Sequence, residues 1–214
     1  MLDNDGQTIP PGAFLPVGER TGLSPKIDRW VIEQALNWLR AQPSHLATLE
    51  MCSVNLSGLS LSEPDFPEFV DAAIWRSGIA PGKICFEIIE TADISKLATA
   101  SHFIRSMKDL GCRFALDDFG SGLSSFAYLK NLPVDFLKID GMFVKDIVDD
   151  VIDRSMVKSI NDIGQVMGKK TIAEFVDNDV ILDELAKIRV DFAQGYGIDR
   201  PKPLHELPEL KCAV

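Results

Sequence analysis

Short apolar runs of strand length alternate along this chain with longer amphipathic segments. Parallel strands need a long crossover connection, usually a helix, so this alternation predicts a parallel sheet covered by helices. There are six strand candidates, namely Cys52–Leu56, Ile84–Ile88, Arg113–Leu116, Phe136–Ile139, Lys170–Ala173 and Asp191–Gln194.

The segments between the strand candidates carry apolar residues at helical spacing. Ser24, directly before Pro25, is a favourable helix start, and Gly111, directly after Leu110, is a favourable helix stop. The predicted helices are Pro25–Arg40, Pro67–Ser77, Ser95–Leu110, Asp149–Met167 and Asn178–Ile188.

The number of strands limits the architecture. A closed (β/α)8 barrel needs eight strands and typically about 250 residues, whereas this chain has 214 residues and six strand candidates. Either the sheet is open, or two strands of a TIM-like barrel are absent from one end. We expect the gap at the N-terminus, because the chain opens on a polar, turn-rich loop that leads into a helix. No Pro/Gly/Ser-rich linker divides the chain, so residues 1–214 are predicted to form a single domain.

Charge and composition exclude several functions. The net charge of -10 argues against a face for long nucleic acid, although a small anionic ligand is compatible if metal ions mediate its binding. There is no run of about 18 apolar residues, so no membrane segment is predicted. The four cysteines form no CxxC pair and three lie in apolar runs, which predicts reduced core thiols and a cytoplasmic protein.

A polar side chain stands at or just past the end of every predicted strand. Helix capping explains one such residue, but it does not readily explain the same feature at every strand. Because a parallel barrel gathers the carboxyl ends of its strands on one face, these side chains are expected to meet there. In chain order they are Asn55, Glu87 with Glu90, Asp117 with Asp118, Lys138 with Asp140, Glu174 with Asp177, and Gln194.

Carboxylates that converge in this way repel one another unless cations lie between them. Carboxylate and amide oxygens suit Mg²⁺ or Mn²⁺, and the three histidines are too dispersed for a zinc motif. Adjacent Asp117 and Asp118 could bridge two ions, an arrangement that supports in-line phosphoryl displacement. Lys138 could neutralise a phosphate or orient the attacking water, or it could form only a structural salt bridge. Glu174 could bind a metal or accept a proton from that water.

A glycine-containing loop follows the two aspartates. Its order, Gly120-Ser121-Gly122-Leu123-Ser124-Ser125, weakly resembles a dinucleotide-binding loop. Because Asp117 and Asp118 would repel a pyrophosphate unless metals intervened, a loop at the edge of the site is the preferred interpretation.

The ordered motifs resemble those of the EAL-type cyclic di-GMP phosphodiesterases over nearly the whole chain. The match begins at Pro10-Pro-Gly-Ala-Phe-Leu-Pro16 and ends at Gln194-Gly-Tyr196 and Arg200-Pro201. The motifs between them are Val54-Asn55-Leu56-Ser57, Phe86-Glu87-Ile88-Ile89-Glu90-Thr91, Leu116-Asp117-Asp118-Phe119-Gly120-Ser121-Gly122, Leu132-Pro133-Val134-Asp135, Leu137-Lys138-Ile139-Asp140 and Ile172-Ala173-Glu174-Phe175-Val176-Asp177.

The resemblance implies a TIM-like barrel that opens cyclic di-GMP to linear pGpG with two divalent ions. It implies that Lys138 lies near the catalytic water, that Glu90 holds the loop at 117–122, and that this loop and the following helix form a homodimer surface. It also implies a set of metal ligands and a set of substrate-lining residues. The implied ligands are Asn55, Glu87, Asp117, Asp118 and Glu174, and the lining residues are Asp177, Gln194, Gly120, Ser121 and Pro201.

Two features depart from the family pattern. The family has Glu where this chain has Asp177, and family members carry two strands before the Phe-x-Pro loop. The second of those strands holds the Glu-Ala-Leu metal ligand and a substrate-binding arginine, and Met1-Leu2-Asp3 falls where it should be ending. We therefore expect weaker metal binding, a lower rate, and open edges at the first and last strands that destabilise the chain or pair with another copy.

Two alternative functions remain at this point. One is a module that binds cyclic di-GMP or a protein partner without turnover, which the missing segment favours and the retained Asp117, Asp118 and Lys138 disfavour. The other is an enolase-like barrel that acts on a carboxylate substrate with Lys138 as base. The enolase-like alternative does not predict the Asp-Asp-Phe-Gly and Gln-Gly-Tyr strings.

Overall fold

A computed structural model describes residues 5–7, 9–89, 97–121, 129–130 and 132–207, without the side chains of residues 97–99 and 205. Six strands form one parallel sheet, and each strand is hydrogen-bonded to the next strand in the chain. This order confirms the predicted TIM-like architecture, with six strands among the described residues. The strands are β1 (Cys52–Leu56), β2 (Ile84–Ile89), β3 (Arg113–Phe119), β4 (Phe136–Ile139), β5 (Lys170–Ala173) and β6 (Phe192–Ala193).

Helices lie in the connections between the strands, except for the β3–β4 connection, much of which falls outside the described residues, and they cover the outer face of the sheet. The predicted helices are present, and their end points lie within two residues of the predicted ones. The sequence did not predict the short helices α1, α3 and α6. The helices are α1 (Pro11–Arg20), α2 (Ser24–Ala41), α3 (Pro43–Thr48), α4 (Phe66–Ser77), α5 (Leu97–Leu110), α6 (Gly141–Val144), α7 (Val151–Val166) and α8 (Asp179–Ile188).

The segment predicted as an opening loop is in fact helical from Pro11. A proline at the first helical position is well tolerated, because the N–H it lacks would have no partner within the helix. A second difference concerns Ser24, which lies inside α2. Leu23 occupies the N-cap position, and the Ser24 hydroxyl is buried without a hydrogen-bond partner among the described residues. Gly111 ends α5 as expected, with a φ of +103°.

The two faces of each strand have different surroundings. Outward side chains join the main core against the helices, where the rings of Phe66, Phe86, Phe103 and Phe114 pack together. The inner face has a smaller buried cluster, which consists of Cys85, Ala115, Phe136 and Ile172 with Met51 against it. This alternation follows from the two-residue period of a strand, and it leaves the next inward layer for polar side chains.

Two aspartates tie neighbouring strands together at their amino ends. Asp135 precedes β4 and accepts a hydrogen bond of 2.9 Å from the backbone N–H of Phe114 in β3. Asp191 precedes β6 and accepts one of 2.9 Å from the N–H of Thr171 in β5. Each carboxylate satisfies a backbone donor at the start of the preceding strand, which helps to set the register of the parallel pair.

Strands β1 and β6 are the two outer members of the sheet within the described part of the chain. A cavity of about 350 Å³ lies between them, with Met51 and Ser53 on one side, Phe192 and Gln194 on the other, and Glu87 among the lining residues. Because residues of the first and last strands line one cavity, the sheet curves as in a barrel. Over the same residues, no helix is both long and apolar enough to span a membrane.

Candidate active site

The inner face of the sheet brings four charged side chains together near the carboxyl ends of the strands. Three of these side chains lie within strands, namely Glu87 in β2, Asp117 in β3 and Lys138 in β4. The fourth, Glu174, directly follows β5. Glu87, Lys138 and Glu174 are buried, and Asp117 is half-buried. The polar layer predicted from the strand ends is therefore present for these four residues.

Lys138 lies at the centre of this group. Its Nζ atom is 2.8 Å from Glu87 Oε2, 2.7 Å from Asp117 Oδ1 and 2.8 Å from Glu174 Oε1. One ammonium group thus contacts three carboxylates contributed by three other segments of the sheet. A buried cation with this many partners is held in one position, because displacement would leave several carboxylates uncompensated.

The electrostatics keep Lys138 charged. Burial by itself disfavours the ammonium form, but the attraction of Glu87, Asp117 and Glu174 outweighs it and raises the pKa of Lys138 above its ordinary value. Lys138 is consequently a hydrogen-bond donor and a fixed positive charge at neutral pH. It is not a general base in this arrangement, which removes the basis of the enolase-like alternative.

Glu174 has the opposite balance. Burial raises the pKa of its carboxyl group to about 7, against the lowering effect of Lys138, and the charges of Asp117 and Asp118 raise it further. A carboxyl group that titrates near neutral pH can accept and release a proton under physiological conditions. A cation bound beside Glu174 would also favour the ionised form of its carboxyl group.

Asp117, Asp118 and Glu174 form a group that can hold a metal ion. Each offers a carboxylate oxygen, and these oxygens all lie within 4.8 Å of one another. Asp117 Oδ1 is buried and, although it is close to Lys138 Nζ, it accepts no hydrogen bond of good geometry from the described residues. A hard divalent cation suits an all-oxygen group with a buried, incompletely satisfied oxygen, so these residues fit Mg²⁺ or Mn²⁺.

Asp118 reaches this group through an unusual backbone conformation. Its φ is +53°, and the pairing of β3 with β4 shifts register between Leu116 and Phe119. A bulge of this kind redirects a side chain, which lets two consecutive aspartates point into one site. Sequence patterns predicted that β3 ends at Leu116, because they gave no reason to continue a strand through two acidic residues.

Asn55 and Gln194 occupy the two sides of the open edge. Asn55 on β1 is paired in register with Glu87, and its side chain is exposed. Gln194 follows β6 and lines the same cavity as Glu87, and its backbone N–H donates to the Ala173 carbonyl at 2.8 Å. Each of the two residues is thus a neighbour of Glu87, and their roles in the site stay predictions.

The remaining predicted site residues are Asp177, Pro201, Ser121, Gly120 and Glu90. Asp177 and Pro201 are exposed, and the Ser121 hydroxyl donates to the Asp118 carbonyl at 2.9 Å. Gly120 has a φ of +105° and lies close to the side chains of Phe143 and Ile160, so it is a structural glycine. The predicted loop-stabilising Glu90 lies outside the described residues.

One strand-end residue has the capping role that was the alternative for all of them. Asp140 is the N-cap of α6 and accepts a hydrogen bond of 2.8 Å from the Met142 N–H. Its position after a strand resembled that of the site residues, and sequence alone does not distinguish the two roles.

Sequence reasoning missed a packing contact made by the residue that follows Glu174. The next residue, Phe175, has a φ of +52°, and its ring packs directly over Gly141, with Lys145 Nζ 4.6 Å from the ring centre. No signal in the Glu-Phe-Val-Asp string predicts a left-handed phenylalanine. The structure shows that the loop after β5 packs against the start of α6.

Asp28 is a second residue that sequence reasoning missed. It lies in α2 on the buried stripe formed by Ser24, Ile32, Leu36 and Leu39. A charged residue on an otherwise uncharged stripe was the available signal, because a buried carboxylate needs partners. These partners are Ser57 and Ser60, in the connection that follows β1.

Comparison with known proteins gives the family of this fold and site. The family model described as "EAL domain" matches residues 1–201. The chain is 43% identical over 199 residues to the cyclic di-GMP phosphodiesterase PdeB of Shewanella oneidensis, covering 93% of this chain and 23% of that protein. It is 35% identical over 204 residues to the cyclic di-GMP phosphodiesterase PdeF of Escherichia coli K12, covering 95% of this chain and 27% of that protein. The chain thus spans about a quarter of the length of these two relatives.

The solved structures agree with the sequence comparison. The EAL domain of FimX from Pseudomonas aeruginosa, solved bound to c-di-GMP, superposes with a TM-score of 0.86 at 31% sequence identity. The aligned region covers 94% of this chain and 81% of that structure. The resemblance inferred from the ordered motifs is therefore confirmed, and the chain belongs to the EAL domain family.

Proposed function

We propose that this chain hydrolyses one phosphodiester bond of cyclic di-GMP in a metal-dependent reaction and releases linear pGpG. The observation that carries the proposal is the convergence of Glu87, Asp117 and Glu174 on Lys138, with Asp118 beside them. The names of the relatives PdeB and PdeF, and the ligand in the FimX structure, support cyclic di-GMP as the substrate.

The candidate metal ligands are the oxygen-bearing side chains of the site. Asp117, Asp118 and Glu174 would hold a first ion, and Asn55 and Glu87 would complete the set for two. Bound Mg²⁺ or Mn²⁺ would supply positive charge for the phosphate and the acidity that makes water a nucleophile at neutral pH.

The chain's own residues account for the remaining steps. Lys138 keeps its proton and can donate hydrogen bonds to a phosphate oxygen or to the attacking water. Glu174, whose pKa is raised to about 7 by burial, is suited to take a proton from that water. Gln194, on the wall of the cavity that Glu87 also lines, offers an amide to the substrate.

The test is incubation of the purified chain with cyclic di-GMP and Mn²⁺, with pGpG followed by chromatography. Asp117→Ala should abolish product formation, because it removes a ligand and a partner of Lys138 together. Asp162→Ala is the matched control, since Asp162 forms an exposed pair with Lys158 on α7 and should keep the wild-type rate.

The outcomes separate the candidate functions. Product that depends on Mn²⁺ and on Asp117 supports hydrolysis. Binding of cyclic di-GMP without product would replace hydrolysis with a sensing role. Absence of both binding and product would leave only a structural or protein-binding role for the chain.

The assembly, domain extent and location are further parts of the proposal. We infer that residues 1–214 act as one domain, that two copies associate through the surface after β3, and that the protein works in the cytoplasm. The free thiols of Cys52, Cys85 and Cys112 support a reducing compartment.

A further inference from the structure

A carboxylate on a covering helix is connected to the end of β1. Asp28 lies in the second turn of α2 and is only 8% exposed. Its Oδ2 atom accepts a hydrogen bond of 2.8 Å from the backbone N–H of Ser57 and one of 2.5 Å from the Ser60 hydroxyl. Ser57 and Ser60 also contact each other, with their hydroxyl oxygens 3.0 Å apart.

The atoms that Asp28 holds are close in the chain to a candidate ligand. Ser57 is the first residue after β1 and comes two residues after Asn55. Asn55 is paired with Glu87, whose carboxylate contacts Lys138. A restraint on the Ser57 N–H fixes the peptide plane at the end of β1, and this plane sets the direction of the strand's last side chains.

The end of β1 has particular need of such a restraint. Within the described residues, β1 has a strand neighbour only on the β2 side. Edge strands fray more readily than central ones, because one row of their backbone groups lacks a strand partner. Asp28, on a helix that covers the sheet, supplies a buried hydrogen-bond acceptor for the backbone just after β1.

The next residue of α2 holds the far end of the same connection. Arg29 donates to Glu63 at 3.0 Å and to Asp65 at 2.9 Å, and its guanidinium lies 4.6 Å from the centre of the Phe69 ring. Two consecutive residues of one helix therefore bind the start and the end of the segment between β1 and α4.

We propose that Asp28 is a positioning residue that, through Ser57 and Ser60, orients Asn55 for metal binding. This inference rests on the proposed function, because it takes Asn55 as a ligand. A carboxylate is costly to bury, and an apolar side chain on this stripe would stabilise α2 against the core more simply. The carboxylate is explained if its two hydrogen bonds set the geometry of the β1 end.

The test compares Asp28→Ala and Asp28→Asn by two measurements that need no catalysis. These are the Mn²⁺ dissociation constant from calorimetry and the hydrogen exchange rate of the Ser57 amide without metal. Asp28→Ala should weaken Mn²⁺ binding by about tenfold, as for other residues that support a ligand without touching the metal, and should speed exchange. Asp28→Asn keeps an acceptor oxygen and should restore the affinity to within about threefold of wild type.

Two further variants separate positioning from folding. Asp150→Ala removes a carboxylate that also accepts two hydrogen bonds, from the N–H groups of Ile152 and Asp153 at the start of α7, so it should lower stability and leave Mn²⁺ affinity unchanged. Ser60→Ala removes one of the two Asp28 bonds and should weaken Mn²⁺ binding by about threefold. If Asp28→Ala does not fold, the Mn²⁺ affinity of Ser60→Ala tests the positioning role of Asp28.

Each outcome has a defined meaning. Wild-type Mn²⁺ affinity and Ser57 exchange in Asp28→Ala, or in Ser60→Ala if the first variant does not fold, would overturn the inference alone. A wild-type chain that binds Mn²⁺ but does not hydrolyse cyclic di-GMP would overturn the proposed reaction alone. A wild-type chain that does not bind Mn²⁺ would overturn both.

Discussion

At the scale of single residues, Lys138 determines the charge balance of the site. Its ammonium group faces the carboxylates of Glu87, Asp117 and Glu174 within hydrogen-bond distance. Without metal it is the cation that allows these carboxylates to converge. The same position would let it meet a phosphate once other cations share the carboxylates.

Replacing Lys138 should therefore cost stability in the metal-free chain. Lys138→Met leaves three carboxylates uncompensated and should lower the free energy of unfolding by about 3 kcal/mol, with part of the loss recovered in Mn²⁺. Urea unfolding with and without Mn²⁺ measures both effects. Lys158→Met, at an exposed pair on α7, is the control and should change stability by less than about 1 kcal/mol. Equal stability of Lys138→Met and wild type would show that the ammonium is dispensable.

Glu174 gives a pH dependence of stability with a defined sign. Burial raises the pKa of its carboxyl group to about 7 from 4.5 in the unfolded chain, so the folded state binds the proton more tightly. Its contribution to stability is therefore fully present below pH 4.5 and is lost as pH rises toward 7.

Comparison of the wild type with Glu174→Gln should reveal this effect. In metal-free urea unfolding, wild type should lose stability relative to Glu174→Gln as the pH rises from 4.5 to about 7. Glutamine cannot ionise. Subtracting the stability of Glu174→Gln from that of wild type therefore removes the pH dependence that the other groups contribute to both proteins. A difference that stays constant or changes in the opposite direction would mean that Lys138 controls this carboxyl group more strongly than burial does.

At the scale of secondary-structure elements, the loop after β5 and the start of α6 support each other. A Cβ atom at Gly141 would overlap the Phe175 ring, and Phe175 itself has a φ of +52°. Strain at a non-glycine residue persists only when the surrounding packing holds it, and here it lies next to Glu174. The glycine and the phenylalanine therefore act as one unit.

Gly141→Ala should destabilise the chain by about 1–3 kcal/mol through this overlap. Thermal unfolding should show a smaller loss in the double variant Gly141→Ala with Phe175→Ala than in Gly141→Ala alone, because the second change removes the obstructing ring. Gly12→Ala in α1 has open space around it and should be neutral or slightly stabilising. Additive losses in the double variant would argue against a shared contact.

The elements also show which parts of the fold are readable from sequence. Strands β1, β4 and β5 have the limits predicted from the sequence. The convergence of Glu87, Asp117, Lys138 and Glu174 followed from the rule that strand ends meet on one face. The roles of these residues in catalysis stay predictions.

The remaining features depend on three-dimensional contacts that have no local signature. Asp118 and Phe175 adopt positive φ values that only the surrounding packing explains. Asp28 was missed because its partners lie about 30 residues further along the chain, at Ser57 and Ser60. Asp140 resembled a site residue but caps a helix.

At the scale of the whole molecule, the six-stranded sheet has two outer strands with paired neighbours on one side among the described residues. Unpaired strand edges favour association with other chains. We expect the isolated 214-residue chain to self-associate as its concentration rises, which sedimentation velocity measures. A stable monomer at every concentration would show that the edges are protected.

The order of the strands also has a consequence for synthesis of the chain. Each strand pairs with the one made just before it, so every new strand emerges from the ribosome beside a template that is already present. Among the described strands none has to wait for a partner that is made much later, so this part of the sheet can grow vectorially during translation. A pause in translation would then delay only the strands not yet made, while the strands already outside the ribosome could pair.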